Sequence, residues 1–194
     1  MSNKIMVVPA TLFAGEERNF ITGSDAEKHL KKIRITFYWA NRTQEVEEND
    51  DWMQPIVYML VQKKGEDRYV LTRRTTSQSE ARLHDKYSIG SGGHVDQPDG
   101  LTEAAWREYD EEVGNKSMAD FTLKGLILDR SNPVGRVHVG IFYHVITTEE
   151  LTFDREKDKH EHRWASLAEI LSHREQMEGW SQIVVRHYLE QKGA

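Results

Sequence analysis

The segment Gly93–Gly114, GHVDQPDGLTEAAWREYDEEVG, constrains this chain more than any other. A glycine-rich bend leads into it, and Gly114 closes it with a residue type that commonly follows a helix. Between them Leu101–Val113 reads as a helix. At about 100° per residue, Ala105, Trp106, Tyr109 and Val113 share one stripe, expected to face the core. Glu108, Glu111 and Glu112 form a neighbouring stripe at spacings i, i+3 and i+4. Ala104 falls within it and leaves room, and Arg107 lies off to the other side. Like charges at these spacings repel by roughly 0.2–0.5 kcal/mol per pair. The helix dipole adds about 0.3–1 kcal/mol per anion near the C-terminus. A stable domain can carry such penalties, so the helix taken alone is more often an ordinary acidic solvent face. A hard divalent cation would reverse their sign, because Mg2+ takes carboxylate oxygens and keeps waters.

The rest of the chain supplies a mixture of strands and helices. Ile5–Val8 and Ile33–Trp39 read as strands, with a short helix over Asp25–Lys32 between them. The acidic run Thr43–Asp51 reads as a solvated loop. Pro55–Val61 and Arg68–Arg73 form a hairpin turned at Gly65. Tyr87–Gly93 is a strand entering the glycine bend. Leu123–Asp129 and Val137–Thr147 are further strands, and Ser166–Ser172 and Gln176–Gln191 are helical. The class is α/β (α+β), a mixed sheet with helices packed on its faces. Residues 1–50 read as an N-terminal extension, made of strands that suit dimerisation or the substrate side, and 51–194 as the catalytic domain.

Composition closes several routes. The chain has 194 residues, no cysteine and a formal net charge of −6. Disulfides, thiolate catalysis and cysteine zinc sites are excluded. The acidic balance disfavours nucleic acid as a partner and leaves phosphate binding to local cations. No apolar run reaches the ~18 residues that span a bilayer. Ile5–Pro9 is too short for a signal peptide, so no membrane and a cytoplasmic location are expected.

The pattern Gly93, five residues, Asp99, seven residues, Arg107-Glu108-Tyr109-Asp110-Glu111-Glu112-Val113-Gly114-Asn115 resembles the Nudix signature. A chance fit of its seven defining positions in one window is on the order of 10⁻⁸ at background residue usage. Three positions depart from the family: Asp99 stands for a glutamate, Tyr109 for an aliphatic residue, and Asn115 for an apolar one. None is among the three metal-type carboxylates. Outside the box, Ser88-Ile89-Gly90-Ser91-Gly92-Gly93-His94 is similar to the family's strand-to-loop entry, and Trp164 to Glu169 to the start of its closing helix. The likeness runs from residue 52 to about 190. SIGSGGHVD with the later Gly135–Gly140 looks most like the loosely described "predicted phosphoesterase, MutT type" group.

The resemblance implies a Nudix-type α/β/α sandwich with helices on both faces of a mixed sheet. It implies a hydrolase that cleaves an X-diphosphate-Y nucleoside diphosphate derivative by water attack at phosphorus, using Mg2+ or Mn2+. Glu108 and Glu112 are implied as the main ligands, completed by Glu111 and a carbonyl of Gly92 or Gly93, with Arg107 orienting a carboxylate. Glu161 is a candidate base, or a plain surface residue. Arg73 or Arg74 could hold a phosphate, since alternation lets only one face the site; Arg74 is preferred. His94 is a substrate candidate. Arg136 and His138, read on one strand face, are further candidates, with a structural role for His138 also open. His160-Glu161-His162 lacks the helical i,i+4 pair of a zinc site, and the glycine loop lacks a P-loop's Lys-Ser/Thr.

The alternative within this fold is a nucleotide-binding sensor without turnover. Allylic diphosphate isomerisation is disfavoured, because the isomerase relatives use a cysteine. Substrate markers are weak. Pro133 comes later than the proline of ADP-ribose enzymes, Ser131-Asn132-Pro133 lacks the tyrosine of dinucleoside-polyphosphate enzymes, and no NADH motif is found. Many relatives are dimers, and a homodimer is compatible with this chain.

Overall fold

The computed structural model describes residues 4–74, 86–150 and 160–192, with the side chains of Arg74, His160, Glu161 and Lys192 outside the description. In chain order the strands and helices are β1 (Lys4–Pro9), β2 (Phe20–Ile21), α1 (Gly23–Thr36), β3 (Tyr38–Asn41), α2 (Gln44–Glu48), β4 (Trp52–Lys63), β5 (Arg68–Arg74), β6 (Tyr87–Ser88), β7 (Gly90–Ser91), α3 (Leu101–Glu112), β8 (Ala119–Ile127), α4 (Pro133–Arg136), β9 (His138–Thr147), β10 (His160–Ser166), α5 (Leu167–Ser172), α6 (Gly179–Val184) and α7 (Glu190–Lys192). One π-helical turn, Val185–Leu189, joins the last two. The contacts divide into two units: residues 1–58, 93–105 and 123–143, and residues 59–92, 106–122 and 144–194.

In the first unit the strand order is β4-β9-β8-β2, and β1 pairs with both β3 and β4. Ile5, Met6, Val7 and Val8 are all buried, which explains a continuous apolar run in place of alternation. The strand reading of Ile33–Thr36 is overturned. Ala26, Leu30 and Ile33 form one buried 3.6-residue stripe, so α1 continues to Thr36 and the strand starts only at Tyr38. The acidic run read as a loop contains α2. Thr43 caps it by accepting the Val46 N–H at 3.4 Å, and Glu45 and Glu47 sit in its first turn, where the dipole favours them. Asn132 caps α4 in the same way through Gly135 N–H, with Pro133 in its first turn.

In the second unit the order runs β10-β5-β4. β10 and β5 pair antiparallel over seven residues, from His160↔Arg74 to Ser166↔Arg68. The hairpin between β4 and β5 turns where Gly65 adopts φ +75°, a value suited to glycine. Ser166 and Glu169 form a reciprocal capping box on α5. Trp164 therefore lies on β10, two residues before that cap.

Helix α3 corrects the sequence reading in detail. Its buried residues are Leu101, Ala104, Ala105, Glu108 and Tyr109, whereas Trp106 is 39% exposed. Of the expected stripe, Ala105, Tyr109 and Val113 are buried, while Trp106 is replaced on the inward face by Ala104 and Glu108. Ala104 and Ala105 are buried, and the bulky indole is left outside. Gly114 is not among the glycines with positive φ. A Cβ there would lie 2.5 Å from the Glu149 carboxylate, which accepts the Asn115 N–H at 2.6 Å. That carboxylate ends a flexible side chain and could swing aside, so the contact alone does not require glycine there.

Candidate functional site

The C-terminal half of α3 gathers the acidic residues. Glu108 is 8% exposed, deeper than a solvent-face residue. Arg107 Nη1 donates to Glu108 Oε1 at 2.6 Å and to Glu111 Oε2 at 3.5 Å. Arg107 thus folds back over the acidic edge, where the helix wheel put it to one side. A buried carboxylate beside a guanidinium is a charge-assisted pair. Glu112 makes a different contact: its Oε2 accepts the Gly92 N–H at 2.8 Å. Gly92 sits at φ +141°, a conformation side-chain-bearing residues rarely adopt. A glycine at that point joins the strand-to-loop entry to the last turn of the acidic helix.

These residues suit a hard divalent cation in donor chemistry, being carboxylates within two helical turns. They do not converge as a ligand set. Among the described residues, no group of three or more His, Asp or Glu side chains could hold a metal ion as placed. Each carboxylate is instead held by Arg107 or by Gly92.

The first unit contains the other candidates. The Gly93 carbonyl accepts the Val57 N–H at 2.9 Å. His94 Nε2 lies 2.9 Å from Oε1 of Gln54, a fully buried residue. The His94 ring stands edge-on to His138, with centroids 5.6 Å apart. His138 Nδ1 lies 2.7 Å from the Val134 carbonyl. Arg136 is the last residue of α4, so it shares no strand face with His138; its Nε is 3.6 Å from Asp50. The short cap-and-proline helix, undetected in the sequence, is the reason.

Burial, then the nearby Arg42 and His138, push His94 down to about 3. Burial also lowers His138, against the opposing pull of its bond to Val134. Both rings are neutral in the native state at pH 7 and protonate more readily when unfolded. Stability is then fully present above about pH 6.5, the ordinary histidine value, and is lost as pH falls toward 3. Unfolding free energies from denaturant titrations between pH 7.5 and 4.5 are expected to fall below pH 6.5, by at most ~1.4 kcal/mol per pH unit per ring. His94→Gln should flatten that slope; an unchanged slope would remove His94 as its source.

Arg73, the alternative to Arg74, is exposed on β5, and its backbone pairs with Glu161 of β10. The side chains of Arg74 and Glu161 lie outside the described residues. His162 Nδ1 is 2.9 Å from Thr72 Oγ1. Sequence reasoning missed Gln54 and Glu149, because each acts across 34 or more residues and neither belongs to a local motif.

Comparison with known proteins bears on the family and the fold. The NUDIX domain family model matches residues 52–188. Protein YmaB of Bacillus subtilis (strain 168) is 31% identical over 201 residues, covering 95% of this chain and 97% of YmaB. The crystal structure of Tm1382, itself classed with the Nudix hydrolases, superposes with a TM-score of 0.77 at 28% identity, covering 97% of this chain and 99% of that one. A bifunctional NMN adenylyltransferase/ADP ribose pyrophosphatase from Francisella tularensis, complexed with AMP and a Mn ion, shares the fold alone. Its TM-score is 0.52 at 16% identity, over 72% of this chain and 42% of that one. The observed architecture is the open α/β fold of these proteins, a mixed sheet with helices. This chain belongs to the Nudix family, hydrolases of nucleoside diphosphate derivatives.

Proposed function

We propose that this chain hydrolyses the diphosphate linkage of an X-diphosphate-Y nucleotide with the help of Mg2+ or Mn2+ bound at the acidic edge of α3. What supports this reading is the NUDIX match over residues 52–188 together with three carboxylates, Glu108, Glu111 and Glu112, in the last two turns of α3. Glu108 and Glu112 would be the main ligands, Glu111 would complete the set directly or through water, and a backbone carbonyl at Gly92 could add an oxygen. The bound ion would neutralise phosphate charge and acidify water. Arg107 would orient the Glu108 carboxylate through the bond from its Nη1 at 2.6 Å. In the reaction the water oxygen forms a bond to one phosphorus as the bridging P–O bond breaks. Two phosphorylated products leave, and the water proton passes to a carboxylate base, for which Glu161 is the candidate. The manganese and AMP held by the Francisella relative support the ion and ligand classes proposed.

The test is a nucleotide library incubated with Mg2+ or Mn2+, with products read by mass spectrometry. The expected outcome is two phosphorylated fragments from at least one diphosphate derivative, and none after chelation by EDTA. Tight nucleotide binding with no product across both metals would favour the sensor alternative.

A further inference from the structure

The loop that ends at Gly92 is fixed from behind by the C-terminal helical segment, and polar groups do the fixing. Ser88 is 1% exposed and Ser181 is fully buried, so each hydroxyl needs partners. The Ile89 N–H donates to Ser181 Oγ at 3.1 Å. Ser181 Oγ donates to Ser88 Oγ at 3.3 Å. The Gly90 N–H donates to Ser88 Oγ at 3.2 Å. Ser88 Oγ, with its one proton, donates to Glu178 Oε1 at 2.6 Å. Glu178 closes the circuit, because its own N–H donates to the Tyr87 carbonyl at 3.0 Å. The Tyr87 ring also stacks on His173 with centroids 4.1 Å apart. Residues 87–90 are therefore held by hydroxyl and carboxylate groups from the approach to α6 and its first turn.

Four residues after Ser88, the Gly92 N–H meets Glu112. Between them, β7 pairs with β4 through Met59↔Ser91 and Leu60↔Gly90. A strand pinned on both sides transmits its position to the next residue, and Gly92 has no Cβ to fix it independently. We propose that Ser88, Glu178 and Ser181 are positioning residues for the reaction. They set the place of Gly92 and so the orientation of the Glu112 carboxylate. They touch neither substrate nor ion in this scheme, and they act through the loop. The proposal rests on the metal-site reading above for its effect on catalysis, but not for its effect on Gly92.

Outer partners of this kind typically change metal affinity or activity by about 10–100-fold when removed. The experiment compares Ser181→Ala, Glu178→Ala and Glu178→Gln with the native chain. Three quantities are read: Mn2+ affinity by electron paramagnetic resonance, amide hydrogen exchange at Gly90 and Gly92 by NMR, and kcat with KM on the best library substrate. Glu178→Ala and Ser181→Ala are expected to weaken Mn2+ binding and lower kcat by about tenfold, to speed exchange at Gly92, and to leave KM within about twofold. Glu178→Gln keeps an oxygen acceptor for Ser88 and should restore most of each loss. Glu178 lies half-buried at the helix boundary, so its variants keep the test open if Ser181→Ala fails to fold. Faster unfolding with unchanged Gly92 exchange and unchanged Mn2+ affinity would reduce the network to a structural role and overturn the proposal. A native chain that binds no Mn2+ would sink the metal reading instead, and Gly92 exchange alone would then decide for or against the clamp.

Discussion

Glu112→Gln is expected to reduce kcat on the order of 10³-fold, about 4 kcal/mol of barrier at 1.36 kcal/mol per decade. The substitution keeps size and an oxygen that can still accept the Gly92 N–H, a bond of 2.8 Å in the native chain. What it removes is the negative charge. A loss of activity with the loop bond retained therefore reports on the anionic donor and not on folding. The melting temperature should move little, since an exposed isosteric change is usually within about 0.5 kcal/mol. The measurement is single-turnover hydrolysis at saturating metal, with a melting curve on the same sample. Full turnover by the variant would show that the acidic edge of α3 does no chemistry. Glu111→Gln should cost less: that side chain is 54% exposed and meets Arg107 only at 3.5 Å.

Gly135→Ala should cost about 3 kcal/mol of stability, at the upper end for overpacking. A Cβ built there would lie 1.8 Å from the Asp129 carbonyl oxygen and 2.8 Å from its carbon. Both atoms are backbone, so no flexible side chain can swing away. The surrounding loop has little slack. Asp129 Oδ1 accepts from Ser131 N and Oγ, Asp129 Oδ2 accepts from Asn132 Nδ2, and Asn132 Oδ1 accepts the Gly135 N–H at 2.9 Å. For a chain of this size the melting temperature should drop by about 6–12 °C. Gly65→Ala is the comparison. Gly65 has φ +75° but nothing within 4 Å of its Cβ position, so it should lose only the ~1–2 kcal/mol of left-handed backbone strain. Equal losses at the two positions in urea denaturation would remove the Asp129 contact as the cause.

Much of the site region was legible because its information is local. The spacing from Gly93 to Gly114 needs only one loop and one helix to be meaningful, and α3 forms within one residue of the span read from periodicity. The hairpin at Gly65 and the long β9 strand were legible for the same reason, as period and turn chemistry act over a few residues. The failures also have local causes. Ile33–Thr36 is β-branched and apolar enough to pass for a strand, and only the burial of Ala26, Leu30 and Ile33 on one face makes it helix. The two-residue strand β2 and the four-residue helix α4 are too short for any period to register.

The amino-acid order alone determined the family, the acidic helix and the residue types available for chemistry. Those follow from side-chain identity and spacing along a single element. Which way each group turns was decided by tertiary structure. Arg107 lies over Glu108, Glu112 reaches Gly92, and Gln54 holds His94 across 40 residues. Trp106 is left outside while Ala104 and Ala105 face inward. Hydrogen bonds and packing between distant segments depend on where the whole chain places its backbone, and no spacing rule carries that information.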